Sequence, residues 1–269
     1  MVPLISVVIP CYNSSQYLPE AVASVQAYSG PHSYEIIIVN DGSTDAATRT
    51  LLNKLSKEGC TVLEQENKGP AAARNKGVKW AQAEYILFLD SDNKISTSYI
   101  DRGIEVLKKH KEVGVVHGNA AFLGATNGPR FATKEFDLLE IMKSNYIDIC
   151  SVVRKKAWEE VGGLDENRLL MGHEDWEFWI SLYARNWKFH YVDEILFDYR
   201  IRENSLWLQK SDDELVKKVV YYVYTKHWNL FMNYHDQLYS YYRYYHNDRS
   251  RPFRTFLKYL YYNYFKKGK

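Results

Sequence analysis

Four short apolar runs, each followed by a stretch of helical pattern, constrain this chain most. They are "LISVVIP" (Leu4–Pro10), "YEIIIVN" (Tyr34–Asn40), "TVLEQ" (Thr61–Gln65) and "EYILFLD" (Glu84–Asp90). β-Branched runs of this length read as strands buried on both faces. Between them lie a helix from about Ser15 to Tyr28 and a second in "DGSTDAATRTLLNKLSKEG". Ser43 or Thr44 would cap the second, with Gly59 past its end. A third, "GPAAARNKGVKWAQA", carries Pro70 in its first turn. Strand–helix alternation at this spacing predicts an α/β fold with a Rossmann-like, mostly parallel central sheet flanked by helices and right-handed crossovers.

The 269 residues suffice for one large α/β domain or a domain plus an appendage. The opening "MVPLISVVIPCYN" has no basic leader and no small-residue cleavage site, so a first core strand explains it better than a signal peptide. No apolar run approaches the roughly 20 residues that span a bilayer. Cys11, Cys60 and Cys150 are too widely spaced for a disulfide framework or a zinc cluster, which implies reduced thiols in a reducing compartment.

After about Ile95 the alternation loosens. A helix near Thr97–Lys109 precedes a strand near Val113–His117. "GNAAFLGATNGPRFATKEF" (Gly118–Phe136) reads as a long loop, Glu174–Arg185 as a helix, and "KFHYVDEILFDYRIR" as a hairpin or edge strands. From about Ser211 the chain is helical, tyrosine-rich and finally basic.

In a parallel sheet the segments "PCYNSS", "NDGSTD" and "SDN" open on one edge, joined by the helix-opening "NKGPAAARN". That edge gathers Tyr12, Asp41, Arg74, Asp90 and Asp92, a set suited to a nucleoside diphosphate. Tyr can stack on a base, Asp can accept from a base N–H, and the Arg fork can pair with phosphate. Paired Asp oxygens are hard ligands for Mg²⁺ or Mn²⁺. No Gly-x-Gly-x-x-Gly follows the first strand and no Gly-Lys-Ser/Thr loop exists, which argues against a dinucleotide site and a P-loop.

With "SVVIPCYNSSQYLPEAVASV", "EIIIVNDGSTD", "NKGPAAARNKGVKWAQAEYILFLDSDN" and "VGGLDENRLLMGHEDWEFWISL", roughly the first 205 residues resemble glycosyltransferase family 2. The resemblance implies the GT-A fold and an inverting, metal-dependent nucleotide-sugar transferase. Asp41 would bind a uracil-type base, with Pro10, Tyr12 and Asn13 beside it. Arg74 would sit near the pyrophosphate. In the Asp-x-Asp motif Asp92 would bind Mn²⁺ or Mg²⁺, while Asp90, with Ser91 between, would hold the ribose or share the metal. Asp175 in "GHED" would be the general base. The family often carries His where "YRIRENS" (Tyr199–Ser205) has Arg202. Arg cannot ligate a metal, so Arg200 and Arg202 become candidate diphosphate contacts or, equally, exposed arginines on an edge strand.

Spacing gives Asp175 a second argument, since on a helix it shares a face with Phe178, Trp179 and Leu182. The alternative is an acid that merely complements the helix dipole. Glu174 is its nearest rival, and His173 and Glu174 are acceptor-side candidates. His117 is more simply a satisfied polar residue. Trp176, Trp179 and Trp187 could stack on sugar rings, with core packing favoured for at least two.

The implied layout is a catalytic domain over 1–205 (nucleotide-sugar part to about 95, acceptor part from about 96) and a helical, Tyr-rich, basic extension over 206–269. The expected function is transfer from a UDP- or dTDP-sugar to a glycan or lipid-linked acceptor in bacterial surface polysaccharide or lipopolysaccharide assembly. The expected location is the cytoplasm or the inner membrane face. The alternative is a non-catalytic nucleotide- or carbohydrate-binding module; a nucleotidyltransferase would want a basic Gly-rich loop that "PCYNSS" is not. The extension suits packing or a homodimer slightly better than peripheral membrane contact. A net charge of +2 and the lack of an RNA-binding signature argue against nucleic acid.

Overall fold

The computed structural model describes residues 2–124, 133–201 and 213–261, apart from the side chains of 213 and 236–238. Compactness divides the chain into Met1–Tyr221 and Tyr222–Lys269. In the first unit the elements are β1 (Ile5–Cys11), α1 (Leu18–Gln26), β2 (Tyr34–Asp41), α2 (Ala46–Lys57), β3 (Thr61–Gln65), α3 (Pro70–Trp80), β4 (Tyr85–Phe88) and β5 (Lys94–Ile95). They continue with α4 (Tyr99–Lys109), β6 (Val113–Gly124), α5 (Leu138–Lys143), β7 (Val152–Arg154), α6 (Lys155–Val161), α7 (Glu174–Ala184) and β8 (Lys188–Ile201). Helix α8 (Asp213–Lys226) crosses the division, and α9 (Trp228–Ser250) and α10 (Pro252–Leu260) complete the chain.

One eight-stranded sheet runs in the order β3-β2-β1-β4-β7-β6-β8-β5. The three pairings among β3, β2, β1 and β4 are parallel, as the alternating pattern predicts. Beyond β4 the sheet is mixed. The short β7 lies antiparallel between β4 and β6, and β5 lies antiparallel on β8. The chain runs outward from β1 to β3 and returns on β1's other side as β4. The β1/β4 boundary is therefore a topological switch point, where open α/β sheets bind ligands.

Strand β1 shows why these residues form this layer. Ile5, Val7, Ile9 and Cys11 all join one core cluster with Leu18, Val22 and Val25 of α1. Val8, on the other face, meets α3: a Cβ on Gly77 would come within 2.4 Å of Val8 Cγ1. That close approach lets α3 lie flat on the sheet and carries Arg74, three residues before Gly77, to the switch point.

Three local expectations change. Asp45, not Ser43 or Thr44, caps α2, its side chain accepting from Thr48 N at 2.6 Å. The run from Gly118 to Gly124 is not loop but the continuation of β6, paired with β8 through register shifts near Asn119; residues 125–132 of that segment lie outside the described residues. "KFHYVDEILFDYRI" is one long strand parallel to β6, not a hairpin, and short β5 shields its far side. Its period-2 pattern was right, but periodicity does not name a strand's partners.

Candidate active site

The loops after β1 and β2 are tied together by one side chain. Asn13, at φ 49°, accepts from Thr44 N (2.8 Å) and Asp45 N (3.1 Å) through Oδ1 and donates to Thr44 Oγ1 at 3.1 Å. Its backbone N donates to Ser43 Oγ at 3.0 Å. Ser91 Oγ then donates to Ser14 Oγ at 2.8 Å, joining the loops after β1 and β4 across the switch point. Pro10 is the last residue but one of β1, and Tyr12 stands 47 % exposed at the rim, a ring open for stacking.

Asp41 is buried and held by three hydrogen bonds. Oδ1 accepts from Gln65 Nε2 and Lys68 N, both at 2.8 Å, and Oδ2 accepts from Gly69 N at 2.9 Å. The carboxylate thus fastens the start of α3, where Gly69 sits at φ 94° as the N-terminal cap residue. These three bonds all lie inside the protein, and Oδ2, with one donor, keeps an acceptor position.

Arg74 is the hub. It is buried, Nη2 donating to Asp90 Oδ1 at 2.5 Å and Nη1 to Glu174 Oε1 at 2.8 Å. Burial works against its charge, but Asp90 and Glu174 more than offset that, so it stays a firm cation. Glu174 also accepts from Gly172 N at the start of α7. One guanidinium therefore couples the Asp-x-Asp turn after β4 to the first turn of α7.

Asp175, the next residue, is oriented rather than loose. Asn145 Nδ2 donates to its Oδ2 at 2.8 Å and Trp176 N donates to its Oδ1 at 2.8 Å. Burial pushes its carboxyl up to about 8, with the charges of Glu174 and Asp148 adding to the effect. A proton acceptor poised near neutrality is what a general base needs.

Asp148 was not singled out from the sequence. Burial lifts it to about 7, reinforced by the charges of Asp90 and Asp92, while its hydrogen bond from Cys150 N at 2.7 Å opposes the rise. The Tyr199 phenol is held above its usual range by burial and then by Asp148, Asp90, Asp92 and Asp175. Four aspartates thus converge on one region with Arg74 as their buried counter-charge. A signal existed: "YIDIC" places a lone acid inside an apolar run. Asn145, the partner of Asp175, left none.

Arg200 underpins the turn. Its Nε donates to the Asp92 carbonyl (2.9 Å), its Nη2 to Glu20 Oε2 (2.8 Å), and its guanidinium covers the Tyr17 ring at 4.7 Å. Its backbone N donates to buried Asn93 Oδ1 at 2.9 Å. It is neither exposed nor on an edge strand. Arg202 lies outside the described residues. His173 is the residue just before α7. His117 is buried in β6 beside Tyr191. Trp176 and Trp179 are core residues whose Nε1 atoms donate to Ile141 O and Ile147 O, and Trp187 donates to Glu160. All three cysteines are free and buried.

The profile of "Glycosyl transferase family 2" matches residues 6–162 of the chain. The chain belongs to glycosyl transferase family 2. Among similar family members, an uncharacterized glycosyltransferase of Haemophilus influenzae is 32% identical, over 66% of this chain and 71% of its own. TuaG of Bacillus subtilis, a glycosyltransferase provisionally named for teichuronic acid biosynthesis, is 31% identical, over 76% of this chain and 81% of its own. A crystal structure of S. aureus TarS residues 1–349 in complex with UDP-GlcNAc superimposes with a TM-score of 0.63 at 24% identity, over 76% of this chain and 60% of that one. This likeness bears out the GT-A fold for the family 2 enzyme. The chain spans only about 60% of that structure's length.

Proposed function

We propose that this family 2 glycosyltransferase moves a sugar from a UDP-sugar, or a dTDP-sugar, to a hydroxyl of a glycan or lipid-linked acceptor during cell-surface polysaccharide assembly. The reaction would be a single inverting displacement. The observation that carries the reading is the Arg74 bridge, which puts the Asp-x-Asp turn and the oriented Asp175 in one site. UDP-GlcNAc in the TarS structure and the teichuronic acid name of TuaG support this choice of donor and setting.

A divalent cation, Mn²⁺ or Mg²⁺, fits the donor set. Asp92 would hold it, with the Asp90 oxygen that Arg74 leaves open. The fit rests on hard carboxylate oxygens and on the gathering of acids here, whose charges add to burial in lifting Asp148 and Asp175. Among the described residues no three acidic, His or Cys side chains form a complete ligand set; the protein would supply one or two carboxylates, as at magnesium sites completed by substrate phosphates. When bound, the cation would supply Lewis-acid stabilisation of the leaving diphosphate.

The chain's own residues supply the rest. Asp175 Oδ atoms take the proton from the acceptor hydroxyl as its oxygen attacks the anomeric carbon. Asn145 fixes the carboxylate's direction, and Glu174, neutralised by Arg74, keeps the helix start in place. Arg200 holds the Asp92 carbonyl and so the shape of the turn. Tyr12 offers a stacking face at the rim. A pure binding module would have no use for an oriented acid kept near neutrality.

Calorimetric titration tests the proposal. UDP, dTDP, GDP and ADP would be titrated with Mn²⁺ and with EDTA against wild type and Asp92→Ala. Metal-dependent binding of UDP or dTDP, lost in the variant, is expected; no diphosphate binding under either condition would overturn the donor-site assignment.

A further inference from the structure

The last two helices carry a feature that the transfer reaction does not use. In α10, Phe253, Phe256, Leu257 and Leu260 follow the i, i+3, i+4, i+7 spacing of one helix face. Phe253 is 74 % exposed, Phe256 55 % and Leu257 51 %. Nothing in α10 is buried. The helix is joined to α9 from roughly the opposite side, where Thr255 Oγ1 donates to Asp248 Oδ1 at 2.8 Å. The apolar stripe therefore points away from α9.

Charge completes the pattern. Arg251, Arg254 and Lys258 form a basic stripe beside the apolar one. Exposed tyrosines flank both, at 259 in α10, at 261 just past its end, and at 241, 242, 244 and 245 in α9. By sequence, residues 239–269 hold eight Lys or Arg against the single acid Asp248, a net +7 within a chain total of +2, so residues 1–238 carry −5. Among the described residues no helix is long and apolar enough to cross a membrane.

We propose that α10, with the tyrosines of α9, is a docking surface for an anionic lipid bilayer, lying in the plane of the interface. An apolar stripe of Phe and Leu, a basic stripe next to it and amphipathic tyrosines at the margins are the composition of an interfacial helix. The occupant follows from charge. A second copy meeting this face about a two-fold axis would bring Arg251, Arg254 and Lys258 against themselves. An anionic surface draws each of them in. The inference does not rest on the transfer reaction, because its readout is binding alone. It also supplies a physical route by which an acceptor anchored in lipid would be kept near the enzyme.

Flotation of the full-length protein with vesicles of phosphatidylcholine, with and without phosphatidylglycerol, tests the proposal. Wild type should float with the anionic vesicles and lose binding as salt rises. Arg254→Ser with Lys258→Ser should weaken partitioning to anionic vesicles about thirtyfold. Phe253→Ser with Phe256→Ser should weaken it about a hundredfold or more. Thermal unfolding matched to wild type would show that each variant is folded. Absence of wild-type flotation would overturn the proposal, as would unchanged flotation of the folded Phe variant. So would a stable dimer that dissociates in the Phe variant while wild type ignores vesicles.

Discussion

Asn145 Nδ2 lies 2.8 Å from Asp175 Oδ2 and donates to it, tying the segment before β7 to the carboxylate at the head of α7. A donor to a carboxylate favours its charged form. Asn145→Ala should therefore move the acidic limb of the kcat/KM profile to still higher pH. It should also lower kcat/KM by about 10- to 100-fold, the worth of one hydrogen bond to a charged group. A pH–rate series on wild type and variant checks both, and a fall in rate with an unmoved limb would reduce Asn145 to a packing role.

Asp175 itself should carry the proton transfer. Asp175→Asn keeps the acceptance from Trp176 N through its amide oxygen but cannot take a proton. Turnover should fall by about 10²- to 10⁴-fold, while the affinity for the donor's nucleoside diphosphate stays near the wild-type value. Because burial and like charge raise Asp175, wild-type kcat/KM should still be climbing above pH 7. Single-turnover rates beside calorimetric titration separate the two effects.

Asp148 should cost the fold stability at high pH. Its folded-state value of about 7 is raised above the ordinary carboxylate value. The native state therefore holds the proton where the unfolded chain has released it, and stability falls as pH rises from about 4 to 7. Asp148→Asn keeps an acceptor for Cys150 N and removes the charge. It should stabilise the protein by a few kcal/mol (about 1.4 kcal/mol per pKa unit) at pH 8 in EDTA, with the gain vanishing near pH 4. Urea unfolding at the two pH values measures it.

Arg74→Met should be the most damaging of these changes. It leaves Asp90 and Glu174 without their buried counter-charge, at a cost of about 3–5 kcal/mol. Arg74→Lys should recover part of this, since an ammonium restores charge but not the two-pronged fork. Denaturant midpoints for the two variants test the order: equal losses would show that charge without the fork recovers nothing, and a lysine variant as stable as wild type would show that the fork itself contributes nothing.

The parallel half of the sheet was legible because buried strands announce themselves in runs such as "SVVIP" and "EIIIV", and the short βα connections leave one topology. The second half was not. Antiparallel β7 is three residues long, and nothing local in "VVR" says that it pairs with both β4 and β6. The site showed the same divide. Motif residues Asp90, Asp92 and Asp175 were readable, and the structure brings their region together. The roles of Asp41, Asn13 and Arg74 as internal fasteners were hidden, because hydrogen-bond partners 16 to 100 residues away leave no trace in a spacing.

The Asn13 knot has a consequence for how ligand would be received. Four of its bonds reach the loop after β2, and Ser91 secures the third loop to Ser14. Loops tied together in this way should have little ordering entropy left to lose when a nucleotide arrives. Binding to this edge should be a meeting with a finished surface, and its selectivity should come from shape and hydrogen-bond match rather than from closure around the guest.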